Sequence, residues 1–392
     1  CSLICQATRE VTGDGVHDLH VPCLDNADKT ALSNCIETGY VSSAGNEISK
    51  FEEDLKKYTG SDYAIAVNSG TSALHLSLIA AGVNSSHEVL VPSLTFVATG
   101  NAVLYTGAST HFVDSHEEGF GVDPLKLREH LFKNTTRNQN RETVNPKTGK
   151  KIKVLIVTHV FGHIGFINEL KQVCDEFDIA LVEDAAEALG SSQAETHAGL
   201  FGLCGAISFN GNKIITTGAG GCVLTNNAEV AHHIRHLSST AKIAHRYEFV
   251  HDQLGYNYRM PNLNASLGIS QLGRLPTFLR AKALLLNAYK NSFSNINGVR
   301  VYEHNELSRS NYWLQTILLD QPDELLQRLI LEEANQAGLG MRPVWKPLHK
   351  LPVFEEACRM DLTVTENLAH RIINVPSSCY LMTTSSQPQP IL

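Results

Sequence analysis

The chain has 392 residues, 43% hydrophobic and 18% charged, with a formal net charge of −8. That composition excludes global disorder, and no run approaches the ~18–20 apolar residues of a membrane-spanning helix. The negative balance argues against a nucleic-acid binder that works by neutralising phosphates, and at about 100–200 residues per domain the length predicts two domains.

Residues 1–15 show no basic segment ahead of an apolar core, so no secretory signal is expected there, and the opening on Cys1 is what a trimmed chain is expected to show. The nine cysteines are odd in number, widely spaced and free of any CxxC, the pattern of reduced thiols in a cytoplasmic protein. His232, His233 and His236 have helical spacing, but no acidic or cysteine partner is evident beside them. A solvated helix face is expected there, and no metal.

From Asn46 the chain alternates helix and strand. Asn46 is the expected N-cap of a helix with Ile48, Phe51, Leu55 and Tyr58 on one face and Gly60 at its end. Strands are predicted at Tyr63–Val67, Glu88–Val91, Thr110–Val113, Val154–Val160 and Ile179–Val182. Helices are predicted at Thr71–Ala81, Thr95–Tyr105, Leu125–Phe132 and Glu169–Phe177. Repeated β–α units of this length predict an α/β fold with a mostly parallel sheet covered on both faces. No GxGxxG follows the first strand, so a nicotinamide-binding reading lacks its phosphate fingerprint.

Two segments interrupt this rhythm. Residues 134–153 (NTTRNQNRETVNPKTGKKIK) are polar and basic. They read as an exposed excursion, a hairpin or plain loop, or else as a contact to an anionic substrate or a partner subunit. Gly255–Arg274 is the second break. It precedes a helix at Pro276–Phe293 that leads to a smaller α+β domain, with strands at Val299–Tyr302 and Trp313–Leu319 and helices at Pro322–Ala337 and Glu366–Ile372. The expected division is a large domain over 1–260 and a smaller one over 261–392.

Three pieces carry chemistry. In NSGTSAL (68–74) a strand ends, Gly70 turns the chain, and a helix opens on Thr71 and Ser72. This is either a phosphate seat at a helix N-terminus or an ordinary cap. In LVEDAAEALG (181–190) acidic residues stand at the end of a buried strand, the ligand-binding edge of such sheets. Asp184 there either pairs with a protonated ring nitrogen or caps the next helix. In ISFNGNKIITTGAGG (207–221) Lys213 lies between an apolar strand and a glycine-rich run. It is either a partly desolvated amine suited to a Schiff base or a loop lysine. Phosphate seat, aspartate and lysine, in that order, are together the handles of pyridoxal phosphate.

With these handles the chain resembles the DegT/DnrJ/EryC1/StrS family of nucleotide-sugar aminotransferases. The resemblance runs from about residue 18 to 378, through VSSAG (41–45), FEEDLKKYTG (51–60), NSGTSALHLSL (68–78), VPSLTFVATGNAVLYTGA (91–108), VEDAAEALG (182–190), SFNGNKIITTGAGG (208–221), LGYNYRMPNLNASLGISQL (254–272), MRPVWKPLH (341–349) and NVPSS (374–378). SFNGNKIITT and the basic insertion look most like the enzymes that aminate UDP-linked 4-keto-6-deoxy-N-acetylhexosamines for legionaminic-acid or bacillosamine synthesis.

The resemblance implies the aspartate-aminotransferase-like fold type I of pyridoxal-phosphate enzymes. It implies that Lys213 holds the cofactor covalently and moves protons, and that Asp184 sits against the pyridine nitrogen. Gly70, Thr71 and Ser72 would bind the phosphate, with Ser208 helping and Asn210 nearby. Phe96 would stack on the cofactor, or is a core phenylalanine. Asn257 would reach the cofactor phosphate of a neighbouring subunit, making a homodimer with shared active sites. Arg259 would meet either a donor carboxylate or a substrate phosphate. His163, Arg342 and Trp345 would lie toward the sugar nucleotide, His163 being otherwise a plain loop histidine. The sequence departs from the family at Glu187, where Gln or His is usual, and at Ala219, where Glu is common. The implied reaction uses L-glutamate and a nucleotide-linked 4-keto-6-deoxy sugar, UDP-linked first and GDP-linked second, with no nucleic acid or membrane involved.

Overall fold

The computed structural model describes residues 1–303 and 308–383. Its helices are α1 (Ser2–Thr12), α2 (Asn26–Glu37), α3 (Asn46–Thr59), α4 (Gly70–Ala80), α5 (Val97–Tyr105), α6 (Pro124–Asn134), α7 (Ile167–Phe177), α8 (Ala228–Ser238), α9 (Asn262–Phe293), α10 (Glu324–Gln336) and α11 (Thr363–Ala369). The main strands are β1 (Tyr63–Val67), β2 (His87–Pro92), β3 (Ser109–Val113), β4 (Lys151–Thr158), β5 (Ala180–Asp184), β6 (Cys204–Ser208), β7 (Gly221–Thr225), β8 (Val299–Val301), β9 (Gln315–Leu319), β10 (Arg342–Pro343), β11 (Cys358–Arg359) and β12 (Ile372–Val375).

The large sheet has the order β1-β7-β6-β5-β4-β2-β3-β11. All its neighbours are parallel except β7, which runs antiparallel to both β1 and β6. Strands such as β2 and β4 read as nearly unbroken Val, Leu and Ile because helices cover both faces, and two apolar clusters lie on the two sides. A second, antiparallel sheet runs β8-β9-β12-β10. Its core gathers Leu285 and Tyr289 of α9, Ile330 of α10, and Ile4 and Ala7 of α1. Among the described residues no helix is long and apolar enough to cross a membrane.

Two expectations change and an open one is decided. First, α3 is capped by Gly45, not Asn46. The free N–H of Glu47 donates to Oδ1 of Asn262, 2.9 Å away at the start of α9. A side chain at residue 45 would collide with that amide, so a glycine stands there. Second, Gly255–Arg274 is only partly a break. The helix begins at Asn262 and runs unbroken through Pro276 to Phe293, 32 residues or about 48 Å. Gly268, inside that segment, lies against Phe51 of α3, and a Cβ there would stand 2.7 Å from its ring. The glycine serves close packing of two helices and not a turn.

Third, residues 134–153 do form a hairpin, Thr136–Arg137 against Thr143–Val144, which joins the sheet at Lys151. Asn145 Nδ2 fastens it by donating to the buried Glu88 at 3.0 Å. This is the N-terminal edge of β4. The eight residues of β4 put about 23 Å between it and the opposite edge. The hairpin therefore does not reach a ligand of its own subunit at that far edge.

Candidate active site

Parallel α/β sheets bind ligands beyond the C-terminal ends of their strands. A cavity of about 330 Å³ lies there, at Thr158 ending β4, Asp184 ending β5 and Ser208 ending β6, under the N-terminus of α4.

Helix α4 opens at Ser69, whose Oγ accepts from Ser72 N at 3.0 Å. Ser72 Oγ in turn donates to Asn68 Oδ1 at 2.7 Å. The first N–H groups of a helix have no intrahelical partner, and the helix dipole makes this end positive. A Cβ at Gly70 would stand 2.8 Å from Ser208 Cβ, so the glycine lets α4 close against the end of β6. The seat this leaves suits an anion.

Consecutive residues of β5 point to opposite faces, which separates its two acids. Glu183 is fully buried and accepts from the backbone N–H groups of Gly199, Phe201 and Gly202 at 2.6–2.8 Å, with His159 Nε2 at 2.8 Å. It is a structural hub. Asp184 faces the cavity. Its Oδ2 accepts from Thr99 Oγ1 at 2.6 Å and its Oδ1 from Ala186 N at 3.2 Å. Thr95 lies 2.9 Å from Thr99 and 3.0 Å from Thr158, so a chain of hydroxyls backs the carboxylate. Burial pushes the Asp184 carboxyl above its usual range, against the pull of Thr99, Ala186 N–H, Lys213 and His159.

The loop between β6 and β7 is pinned by Phe209 N to Gly220 O at 2.9 Å and by Thr217 N to Phe209 O at 3.0 Å. It projects Lys213 into the cavity. Lys213 Nζ lies 3.2 Å from Glu187 Oε1 and 4.0 Å from the centroid of the Trp313 ring. Trp313 is held by its Nε1, which donates to Asn212 O at 2.8 Å. Glu187 is also buried, and its Oε2 accepts from Phe161 N at 2.9 Å. Phe161 has φ 55°, a conformation unusual for an aromatic residue, and this turns its N–H toward Glu187. Burial raises the Glu187 carboxyl too, with Lys213 opposing.

The cavity thus gathers Gly70, Thr71, Phe96, Asp184, Glu187, Ser208, Asn210, Lys213 and Trp345. Ser72 stands behind it in the first turn of α4. The other residues singled out in the sequence lie elsewhere in the single chain. His163 is buried, edge-on to Tyr302 and Tyr312. Arg342 is exposed and donates to Asn335 Oδ1 of α10 at 2.6 Å. Asn257 and Arg259 are exposed, on a segment running beside the end of β1, where Asn68 N donates to Tyr258 O at 2.8 Å. Sequence reasoning missed Trp313, Phe161 and the three threonines. Each comes from a distant element whose local pattern signals only strand, turn or helix.

This donor set fits pyridoxal phosphate: an anion seat with backbone N–H groups and hydroxyls, a buried carboxylate for a protonated ring nitrogen, and an amine within the same cavity.

Residues 22–388 match the model of the DegT/DnrJ/EryC1/StrS aminotransferase family. The chain is 32% identical over 360 residues to a GDP-perosamine synthase of Vibrio cholerae, covering 92% of this chain and 93% of the relative. It is 30% identical over 334 residues to a UDP-4-amino-4,6-dideoxy-N-acetyl-beta-L-altrosamine transaminase of Campylobacter jejuni, covering 85% and 84%. The crystal structure of a DegT DnrJ EryC1 StrS aminotransferase from Brucella abortus is similar with a TM-score of 0.80, at 26% identity and 91% coverage of each chain. The fold is accordingly fold type I. The chain belongs to the DegT/DnrJ/EryC1/StrS aminotransferase family and is a pyridoxal-phosphate-dependent aminotransferase.

Proposed function

We propose that the protein carries the amino group of L-glutamate to C4 of a nucleotide-linked 4-keto-6-deoxy sugar. The observation that carries this reading is the convergence of Lys213, Asp184 and the N-terminus of α4 on one cavity. When bound, pyridoxal phosphate supplies an electron sink for the charge left by loss of a proton from carbon. Around it, Gly70, Thr71, Ser72 and Ser208 hold the phosphate, and Asp184 keeps the ring nitrogen protonated. Lys213 takes and returns protons at Nζ. Phe96 and Trp345, with ring centroids 6.4 Å apart, wall the mouth.

Two sugar nucleotides are candidates. UDP-2-acetamido-2,6-dideoxy-hexos-4-ulose is favoured by SFNGNKIITT and by the Campylobacter jejuni relative. GDP-4-keto-6-deoxymannose is favoured by the Vibrio cholerae relative. Glutamate added to the holoenzyme should convert its visible absorbance to that of the pyridoxamine form, and the correct keto sugar should reverse the change. No conversion with glutamate or any other amino donor would sink the reaction; reversal by neither sugar would sink the substrate class.

We also propose a homodimer with shared active sites. Asn257 lies outside the cavity of its own chain, and nearby Tyr247, Phe249 and Leu254 are 75%, 78% and 77% exposed, an apolar ridge suited to a second copy. Mixing inactive Lys213→Ala and Asn257→Ala protomers should restore part of the activity. A sedimenting monomer at micromolar concentration, or no restoration, overturns the shared site.

A further inference from the structure

Glu187 sits where the family usually has Gln or His. Its surroundings are specific. Oε2 is fixed by Phe161 N–H, which leaves Oε1 aimed at Lys213 Nζ, 3.2 Å away. The amine also meets the Trp313 ring, 4.0 Å away and itself tied to Asn212 O. Lys213 and Glu187 are both largely shielded, at 13% and 6% side-chain exposure.

We propose that Glu187 is the proton acceptor for the Lys213 amine, and that Trp313 is the positioning residue that holds this amine in reach. The inference rests on the reading of Lys213 as the amine that captures the cofactor. An ammonium is not a nucleophile. Transfer of one proton from Nζ to Oε1 leaves the nitrogen its electron pair, and two opposite charges become a neutral amine and a neutral carboxylic acid. The shielding of both side chains favours that exchange, since separated charges are costly away from water. Burial already pushes the Glu187 carboxyl toward its neutral form. A Gln or His in its place would accept a hydrogen bond without offering this buried carboxylate. The charged and titratable groups around the pair are Asp184 from the end of β5, His159 beyond it from the end of β4, and His20 from the N-terminal segment.

The test mixes apo protein with pyridoxal phosphate and follows the rise of visible absorbance that marks covalent capture, from pH 5 to 9. Glu187→Gln keeps the size and the hydrogen bonds but accepts no proton. Its capture should be about 100-fold slower than wild type. The wild-type rate should hold level and fall only in mild acid, above the ordinary carboxylate range, whereas the variant, with no internal acceptor, should lose rate steadily as pH falls across the whole range. Trp313→Phe, which keeps an aromatic face, should stay within about 3-fold of wild type, and Trp313→Leu should slow capture about 10-fold. Capture by Glu187→Gln as fast as wild type or faster would show the carboxylate to be only a counter-ion and overturn the proposal. A wild-type rate that falls across this range as steeply as the variant's overturns it as well. Equal capture by the Phe and Leu variants removes Trp313 from it. Lys213→Ala separates the two readings: if that variant still captures cofactor covalently, the assignment of Lys213 is what fails.

Discussion

Lys213→Ala should abolish transamination, with a loss of about 10³-fold or more, and yet bind pyridoxal phosphate. Both halves follow from how the cavity is divided. The anion seat is built from the N-terminus of α4 and the close approach of Gly70 to Ser208. The proposed ring-nitrogen partner is Asp184 at the end of β5. Neither depends on the loop that carries Lys213. The amine proposed to move protons, by contrast, has no substitute within reach among the groups that line the cavity. The variant should also fold. Removing one partner of a buried ion pair usually costs about 3–5 kcal/mol, because a charge is stranded. Here burial already raises the Glu187 carboxyl, so it takes up a proton when Lys213 is gone. The remaining loss is the contact with Trp313, about 1 kcal/mol. Three measurements check this: turnover with glutamate and keto sugar, cofactor retention by equilibrium dialysis, and thermal melting. Residual turnover near wild type would remove Lys213 from the reaction, and loss of cofactor binding would show that the seat alone is insufficient.

This contrast shows which parts of the site sequence could reveal. Strand β1 ends where the apolar run Tyr63–Val67 meets Asn68-Ser69-Gly70, because buried runs and turn residues are local signals. Lys213, Asp184 and Gly70 were legible for the same reason: each lies where a strand gives way to a turn. Trp313 was not. It sits 100 residues after Lys213 and reads as the start of a buried strand, and only its tertiary contact with Asn212 O turns its ring to the amine. Phe161 was hidden in another way, since its contribution is a backbone N–H in an uncommon conformation and not its side chain. The start of α9 was placed too late, at Pro276, because proline favours a first helical turn, whereas the helix begins at Asn262 and carries Pro276 inside it.

Asp184→Asn should move activity and stability in opposite directions. The substitution keeps the shape. The amide carbonyl can still accept from Ala186 N–H, and its NH₂ can meet the Thr99 hydroxyl, whose proton turns toward Thr95. What disappears is the negative charge. In its proposed role against the ring nitrogen that charge is what keeps the nitrogen protonated, and its loss should cost about 10²–10³-fold in turnover.

The same charge is a burden before the cofactor binds. Burial pushes the Asp184 carboxyl up, so the folded chain holds its proton more tightly than the unfolded chain does. For an acid shifted in that direction, the stability contribution is fully present below the ordinary carboxylate range. It is lost as pH rises through the raised value. Asparagine has no such loss. At neutral pH the cofactor-free variant should therefore be more stable than cofactor-free wild type, by on the order of 1 kcal/mol, and the two melting temperatures should converge in acid. Added cofactor should raise the melting temperature of wild type more than that of the variant, because only the wild type gains a cation opposite a buried carboxylate. A variant that melts lower than wild type across the whole pH range would mean that Asp184 is ionised and satisfied by Thr99 and Ala186 alone. The acid at the end of β5 would then be a structural group, and the ring nitrogen would need another partner.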